Sequence, residues 1–170
     1  VLIGGSGGGT DASGAVSGRE RGATSLLVGG GALATEDSLR SALDGVNLDM
    51  APVALTPGSG FVTTAEWLMS LWAVAGLADD SVTGGFGVDP IGELARCGRL
   101  PQGIDRALAD GTGLAVMAAN RYPHVRTWSV DATPYAEAGA SEAQELAAML
   151  STAVAYLRSM QDAGMKADDA

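Results

Sequence analysis

A chain of 170 residues with 46% apolar and only 18% charged residues is expected to fold as one globular domain with a sizeable core. The formal net charge of −10 leaves no basic surface for a nucleic-acid backbone. A single cysteine, Cys97, excludes an internal disulfide and a cysteine-rich zinc site. No apolar run reaches the roughly eighteen residues of a membrane-spanning helix, so no membrane span is predicted.

The amino-terminal stretch "VLIGGSGGGT" predicts a short strand at Val1–Ile3 followed by a glycine-rich loop. It has neither the basic region nor the long apolar region of a signal peptide, and it lacks an initiator methionine, so we expect a piece of a longer protein. Gly7–Ala12 satisfies the G-x-G-x-x-G/A pattern of dinucleotide-binding loops. That pattern also requires an acidic residue after the second strand, where this chain reads "LLVGGGA". A loop without a ligand is therefore favoured over a nucleotide site.

Short apolar runs then alternate with segments of helical period. Strands are predicted around Leu26, Val53, Val82 and Val130, and the first three centres lie about 27 to 29 residues apart. This spacing is typical of repeated βα units, which form parallel sheets. The apolar strands lack strict alternation, as expected for a sheet covered by helices.

Four of the predicted helices have a recognisable start signal. The start signals are Thr35, a Thr63–Glu66 capping box, Asp89 before Pro90, and a Ser141–Gln144 capping box. A further helix is predicted from Gly103 to Tyr122, although Gly111 and Gly113 disfavour its middle. The last helix is predicted to turn one apolar face inwards, composed of Leu146, Met149, Leu150, Ala153, Leu157 and Met160.

Two architectures share this pattern, an open doubly wound sheet and a (β/α)₈ barrel. Five strands are too few to close an eight-stranded barrel, which takes about 250 residues. The pattern therefore predicts either an open sheet or part of a barrel. In the second case we expect exposed edge strands and, for the isolated piece, marginal stability or aggregation.

In such α/β proteins, reactive side chains lie at the carboxyl ends of the strands. Those ends read "VGGG", "LTPG", "GFGVD" and "VDATPY", with Asp89 and Asp131 as their acidic groups. Asp89 is accounted for as a helix cap, and Asp131 is favoured as a carboxylate that fixes a loop rather than as a general base. Glu137 is predicted to cap the start of the following helix. These strand ends therefore predict no catalytic site.

The segment "VDATPYAEAGASEAQELAAMLSTAVAYLRSMQDAG" resembles the barrel segment of methylmalonyl-CoA mutases. The stretches "GATSLLV", "LDGVNLDMAPVAL" and "GGFGVDPIGELA" resemble earlier parts of that barrel in the same order, so the resemblance covers roughly residues 10–165. It implies a partial (β/α)₈ TIM-type barrel of about five parallel strands over residues 1–165, with a frayed tail at 166–170.

The resemblance also implies lost function at the strand ends. Catalytic chains of this family carry Gln-Asn-Asp where this chain has Gly87, Val88 and Asp89, and they carry a histidine where it has Pro134. The cobalamin-ligating Asp-x-His-x-x-Gly motif is absent, and His124 in "YPHVRT" does not match it. The implied set of catalytic, cofactor-binding and metal-binding residues is therefore empty, and the degenerate positions are Gly87, Val88, Asp89, Asp131, Pro134 and Glu137.

These departures are similar to those of the small, non-catalytic subunits of bacterial heterodimeric mutases. The resemblance implies a cytoplasmic chain that supports a large catalytic subunit, which would hold adenosylcobalamin and interconvert methylmalonyl-CoA and succinyl-CoA. It implies acyl-CoA in the complex and no nucleic-acid or membrane partner. Two alternatives stay open: a mutase-like chain that still binds acyl-CoA or cobalamin, and a small nucleotide-binding α/β protein that uses Gly7–Ala12.

Overall fold

The structure is a computed structural model, and it describes residues 2–3 and 24–166. The predicted nucleotide loop at Gly7–Ala12 and most of the predicted tail lie outside the described residues. The five strands are β1 (Leu2–Ile3), β2 (Leu26–Gly29), β3 (Val53–Thr56), β4 (Gly84–Val88) and β5 (Val125–Trp128). The α-helices are α1 (Glu36–Ala42), α2 (Phe61–Val74), α3 (Pro90–Cys97), α4 (Ile104–Arg121), α5 (Thr133–Glu137) and α6 (Glu142–Asp162).

The strands form one parallel sheet in the order β1-β2-β3-β4-β5. Each strand lies beside the strand that precedes it in sequence, with helical segments between successive strands from β2 onwards. A doubly wound sheet reverses its strand order at a switch point, whereas a (β/α)₈ barrel keeps sequential order around the ring. The structure therefore confirms the partial barrel and disfavours the open doubly wound sheet.

The core lies between the sheet and the helices. Paired residues Leu26 and Val53 are almost completely buried on the helix-facing side of the sheet, and Phe61 and Leu68 of α2 are 0% exposed against it. Trp72 also belongs to this core, where its ring packs against Phe86 with the ring centroids 6.0 Å apart. Because this core supports the sheet from the outside, the strand ends are held in place by apolar packing.

Three of the predicted helix starts are confirmed. The Thr35 side chain accepts a hydrogen bond from the Ser38 backbone N–H at 3.1 Å, and Asp89 caps α3 with Pro90 at its first turn. Ser141 and Gln144 form the capping box of α6.

The Thr63–Glu66 box is wrong, because α2 begins earlier, at Phe61. A single 3-10 turn at Gly58–Gly60 leads directly into that helix. The Thr64 hydroxyl donates to the Gly60 carbonyl at 3.2 Å inside the first turn of the helix.

Helix α4 runs unbroken through the two glycines that disfavoured it. A Cβ placed on Gly111 would lie 2.6 Å from Cη2 of Trp128 and 2.9 Å from Cγ1 of Val88. The missing side chain therefore lets the Trp128 indole of β5 pack directly on the helix backbone. Gly113, two residues on, has no heavy atom within 4 Å of such a Cβ and has no comparable packing role.

The predicted inward face of α6 is largely wrong. The buried residues of this helix are Thr152, Tyr156 and Met160, whereas Leu146 and Leu150 are 56% and 58% exposed. The helix is rotated so that Tyr156, rather than the leucine stripe, faces the sheet. The leucine stripe therefore lies on a part of α6 that the described chain leaves uncovered.

One edge of the sheet is open. Within the described residues, β5 is paired with β4 alone, and a cavity of about 1000 Å³ lies beside β5 between α4 and α6. This is the exposed edge expected of a partial barrel. No helix among residues 24–166 combines the length and the apolar composition needed to cross a bilayer.

Candidate functional site

A small cavity of about 60 Å³ lies at the carboxyl ends of β3, β4 and β5. This is the edge at which barrel proteins place their active sites. We call it the rim cavity; its lining residues are Leu55, Thr56, Gly58, Gly87, Asp89, Glu93, Arg96, Ser129 and Asp131. The cavity is far below the roughly 300–1,000 Å³ of ordinary small-molecule pockets.

Gly87 has a backbone conformation that excludes a side chain. Its φ is +66°, in the left-handed region that favours glycine. A Cβ built there would collide with the Leu55 carbonyl oxygen and would lie 3.1 Å from Cδ of Pro57. The next residue, Val88, is completely buried in the core. Neither position therefore presents a polar side chain to the rim cavity.

The Asp89 carboxylate connects three segments of the chain. Its Oδ1 accepts hydrogen bonds from the Gly92 backbone N–H at 3.0 Å and from the Tyr156 hydroxyl at 2.5 Å. Its Oδ2 accepts a hydrogen bond from the Asp131 backbone N–H at 2.8 Å. Both oxygens are thus engaged in fastening the start of α3 to α6 and to the loop after β5.

Tyr156 completes this arrangement from α6. Its hydroxyl accepts a hydrogen bond from the Ile91 backbone N–H at 3.0 Å while donating to Asp89. Its ring stacks on Trp128 with centroids 4.3 Å apart and planes at 19°. Burial raises the pKa of Tyr156, and the hydrogen bond to Asp89 raises it further, so the phenol stays protonated. The sequence signal for this role was a lone tyrosine inside an apolar helix segment.

Asp131, which also lines the rim cavity, is held in an ion pair with Arg96. Burial raises its pKa, but hydrogen bonds from Thr133 and the charge of Arg96 outweigh that effect and lower the pKa overall. The contacts are 2.5 Å to Nη2 of Arg96 and 2.9 Å to the Thr133 backbone N–H. Nη1 of Arg96 also contacts Glu93 at 3.2 Å. The Arg96 guanidinium therefore faces two carboxylates of its own chain.

The sequence of this chain is similar to those of known proteins of one family. A model of the methylmalonyl-CoA mutase family matches residues 12–170. The chain belongs to the methylmalonyl-CoA mutase family. A "methylmalonyl-CoA mutase small subunit" of Streptomyces virginiae is 47% identical over 152 residues, which cover 89% of this chain and 24% of that protein. A "probable methylmalonyl-CoA mutase small subunit" of Mycobacterium tuberculosis H37Rv is 32% identical over 135 residues, covering 79% and 21%.

A protein of the same name from Mycobacterium bovis shows the same 32% identity over 135 residues. The chain therefore spans about a quarter of the length of the curated relatives it matches. The described sheet and its rim are one part of a mutase-family barrel.

The loop after β5 of this mutase-family chain contains a helix that the sequence did not predict. Thr133–Glu137 forms the short helix α5, with Pro134 half-buried in its first turn and Glu137 exposed at its end. The predicted capping role of Glu137 is wrong, because Ser141 and Gln144 cap α6 themselves. Neither Pro134 nor Glu137 lines the rim cavity.

Neither Cys97 nor His124 lines the rim cavity. Cys97 is exposed at the end of α3, and its thiol donates a hydrogen bond to Glu93 at 3.2 Å. That bond, with burial second, raises the pKa of the Cys97 thiol, which opposes thiolate formation. His124 is exposed in the turn before β5. Among residues 24–166 no three histidine, cysteine or acidic side chains are arranged to bind a metal ion.

Proposed function

We propose that this chain is part of the small subunit of an adenosylcobalamin-dependent methylmalonyl-CoA mutase and performs no chemistry itself. In this proposal a large partner subunit interconverts methylmalonyl-CoA and succinyl-CoA, and the small subunit supports it. The names of the relatives from Streptomyces and Mycobacterium support the assignment to a small subunit. Barrel folds keep their packing when rim residues change, because stability rests on the apolar layers and function on the rim.

The observation that carries the proposal is the backbone at Gly87. The family resemblance places a glutamine of the catalytic chains at this position. Here the φ of +66° and the Leu55 carbonyl leave no room for even a methyl group. A polar group for the substrate would therefore require a different path of β4, not merely another residue.

The charged side chains of the rim cavity already have partners within the same chain. Asp89 is bound by Gly92, Tyr156 and Asp131, and Arg96 is bound by Asp131 and Glu93. A substrate carboxylate or thioester would have to displace these internal partners before it gained any interaction. This cost argues against acyl-CoA binding at the rim cavity of this chain.

The residues present do not fit adenosylcobalamin. The rim cavity, at about 60 Å³, is too small for a corrin ring. The larger cavity beside β5 is lined by alanine, aromatic and other side chains that include no histidine, cysteine or carboxylate to coordinate cobalt. We therefore assign the cofactor to the large subunit.

A cytoplasmic location is also part of the proposal. The exposed single thiol of Cys97 is compatible with a reducing compartment, where free thiols persist. Acyl-CoA belongs to the complex through the large subunit, and neither nucleic acid nor a membrane surface is proposed as a partner.

Thermal-shift titrations of the full-length chain test the proposal. We expect methylmalonyl-CoA, succinyl-CoA and adenosylcobalamin each to leave its melting temperature unchanged, because a ligand stabilises only a protein that it binds. We expect the large subunit to raise it. Desulfo-CoA, which lacks the thiol and the acyl group, provides a matched ligand control for contacts made by the nucleotide and pantetheine parts.

The outcomes separate the alternatives. Stabilisation by acyl-CoA esters but not by desulfo-CoA would overturn the proposal in favour of retained acyl binding. Stabilisation by ATP or NAD would favour a nucleotide site. If the large subunit left the melting temperature unchanged, the chain would not be its supporting subunit.

A further inference from the structure

The segment that connects β5 to α6 lies on the rim without a buried residue of its own. Residues 129–140 contain the loop after β5, the short helix α5 and the turn before α6, and each of them is half-buried or exposed. Helix α5 packs against α3 and α6, but none of its five residues is buried. Segments with few buried apolar contacts open at a lower free energy than the core does. The order of residues 129–140 therefore depends on their polar contacts.

Asp131 joins this segment to α3. Its backbone N–H donates a hydrogen bond at 2.8 Å to Oδ2 of Asp89, the residue that caps α3. Its carboxylate accepts a hydrogen bond from Nη2 of Arg96, within α3. Asp131 and Ser129 both line the rim cavity, which lies at the carboxyl ends of β3 and β4. The contacts of Asp131 therefore hold the segment against those strand ends.

Other hydrogen bonds lie within the segment itself. The Thr133 backbone N–H donates to the Asp131 carboxylate at 2.9 Å, and the Ala140 N–H donates to the Tyr135 carbonyl at 3.0 Å. Gly139 has a φ of +89°, and no heavy atom lies within 4 Å of a Cβ built on it, so the chain can turn there without displacing a neighbour. A helix of five residues is not stable alone in water, so α5 needs its packing against α3 and α6. When that packing is lost, the whole segment loses its order together.

The two oxygens of the Asp89 carboxylate serve different parts of the chain. Oδ1 accepts hydrogen bonds from the Gly92 backbone N–H and from the Tyr156 hydroxyl, which belong to α3 and α6. Oδ2 accepts the hydrogen bond from Asp131. One oxygen therefore fastens two helices of the barrel to each other, and the other fastens the segment after β5 to that pair.

We propose that residues 129–140 form a flap on the rim cavity, that the flap opens as a unit while the barrel core stays folded, and that Oδ2 of Asp89 holds it closed. Opening withdraws Ser129 and Asp131 from the lining of the rim cavity and uncovers the carboxyl ends of β3 and β4. The flap thus controls access to the edge at which barrel proteins place their active sites. Its contacts all lie within this chain, so it does not depend on the proposed function.

The substitution Asp89→Asn is designed to release the flap alone. Asparagine caps a helix as well as aspartate does, and its oxygen still accepts the hydrogen bonds from Gly92 and Tyr156. Its NH₂ group takes the place of Oδ2 and cannot accept a hydrogen bond from the Asp131 N–H. Asp79→Asn is the matched control, because it makes the same chemical change in an exposed ion pair with Arg121 at the end of α4.

A second variant reaches the flap from α3. Arg96→Gln removes the ion pair with Asp131 and leaves the Asp89 carboxylate in place. Its matched control is Arg40→Gln, which removes the ion pair with Glu36 on α1. The two arginine side chains are similarly exposed, at 44% and 50%. The two controls therefore separate flap contacts from the general effect of removing a charge.

Hydrogen exchange of the backbone amides of the full-length chain, followed by mass spectrometry on short peptides, measures the opening. In Asp89→Asn we expect the amides of Asp131 and Ala140, near the two ends of the flap, both to exchange at least about tenfold faster, because a hydrogen bond to a charged acceptor is lost. In Arg96→Gln we expect both to exchange about two- to fivefold faster, because exposed ion pairs are weak. The amides of β3 in all variants, and those of the flap in both controls, should stay within about twofold of wild type.

Three results overturn the inference. Faster exchange at Asp131 but not at Ala140 would mean that the segment does not open as a unit. Equal acceleration in the flap and in β3 would mean that Asp89 stabilises the whole fold rather than the flap. Unchanged exchange in Asp89→Asn would mean that Oδ2 does not hold the flap closed. If Asp89→Asn does not fold, the same comparison of the two flap ends with β3 in Arg96→Gln confirms or overturns the inference.

Discussion

Replacing Gly87 by alanine tests whether the rim of this barrel excludes side chains. Gly87→Ala adds one methyl group at a φ of +66°, directly against the Leu55 carbonyl oxygen of the neighbouring strand. Gly98→Ala is the matched control: its φ is +69°, but no heavy atom lies within 4 Å of the added Cβ. Both substitutions therefore place alanine in the left-handed region, but only Gly87→Ala also creates a steric collision with a neighbouring strand.

The expected magnitudes follow from these two terms. Placing alanine in the left-handed region costs roughly 1–2 kcal/mol, which is the whole expected effect of Gly98→Ala. Forcing a methyl group into an occupied space costs typically about 1–3 kcal/mol more, because the paired β3 backbone must shift. We therefore expect Gly87→Ala to lower the free energy of unfolding by about 2–5 kcal/mol.

Urea-induced unfolding of the full-length chain, followed by tryptophan fluorescence, provides the measurement. Linear extrapolation gives the free energy of unfolding of wild type and both variants. Equal losses for Gly87→Ala and Gly98→Ala would mean that the rim has room for a side chain at Gly87.

Four further substitutions test the packing and pairing around the rim. Gly111→Ala should lower the free energy of unfolding by about 1–3 kcal/mol through its collision with the indole of Trp128, whereas Gly113→Ala should raise it by about 0.5–1 kcal/mol. Tyr156→Phe keeps the aromatic stacking but removes a hydrogen bond to a carboxylate, and should cost about 1.5–3 kcal/mol. Because the pKa of Asp131 is lowered in the folded state, its stabilisation is present above the unfolded pKa of about 3.9 and is lost as the pH falls through the folded pKa. Asp131→Asn should therefore lose stability less steeply than wild type below about pH 4.

Each of these has a result that contradicts it. Equal effects of alanine at positions 111 and 113 would mean that the indole does not rest on the helix backbone. A neutral Tyr156→Phe variant would mean that the hydroxyl does not bind the Asp89 carboxylate. Superimposable stability profiles of wild type and Asp131→Asn between about pH 2 and pH 5 would mean that the ion pair of Asp131 does not stabilise the fold.

The approximate strand positions and most helix starts could be predicted because they depend on local signals, although the predicted centres Val82 and Val130 lie just outside β4 and β5. The apolar runs around Leu26 and Val53 and the caps at Thr35 and Asp89 act through residues near in sequence. The sequential strand order was not available from such signals, because a barrel and a doubly wound sheet repeat the same βα unit.

The rim could be predicted only in part, because its contacts are long-range. Asp89 was recognisable as a cap, but its bond to Tyr156 spans 67 positions of the chain and leaves no local pattern. The inward face of α6 was mispredicted for the same reason. Periodicity identified an apolar stripe with Leu146 and Leu150, but it did not show that the sheet would instead take Tyr156.

Succinyl-CoA formation by the full-length chain, supplied with methylmalonyl-CoA and adenosylcobalamin, measures directly whether this subunit performs chemistry. Without the large subunit we expect a rate no higher than that of a mixture lacking protein, and turnover only when the large subunit is added. Sustained turnover by the purified chain alone, at any concentration of cofactor, would mean that the small subunit is itself catalytic.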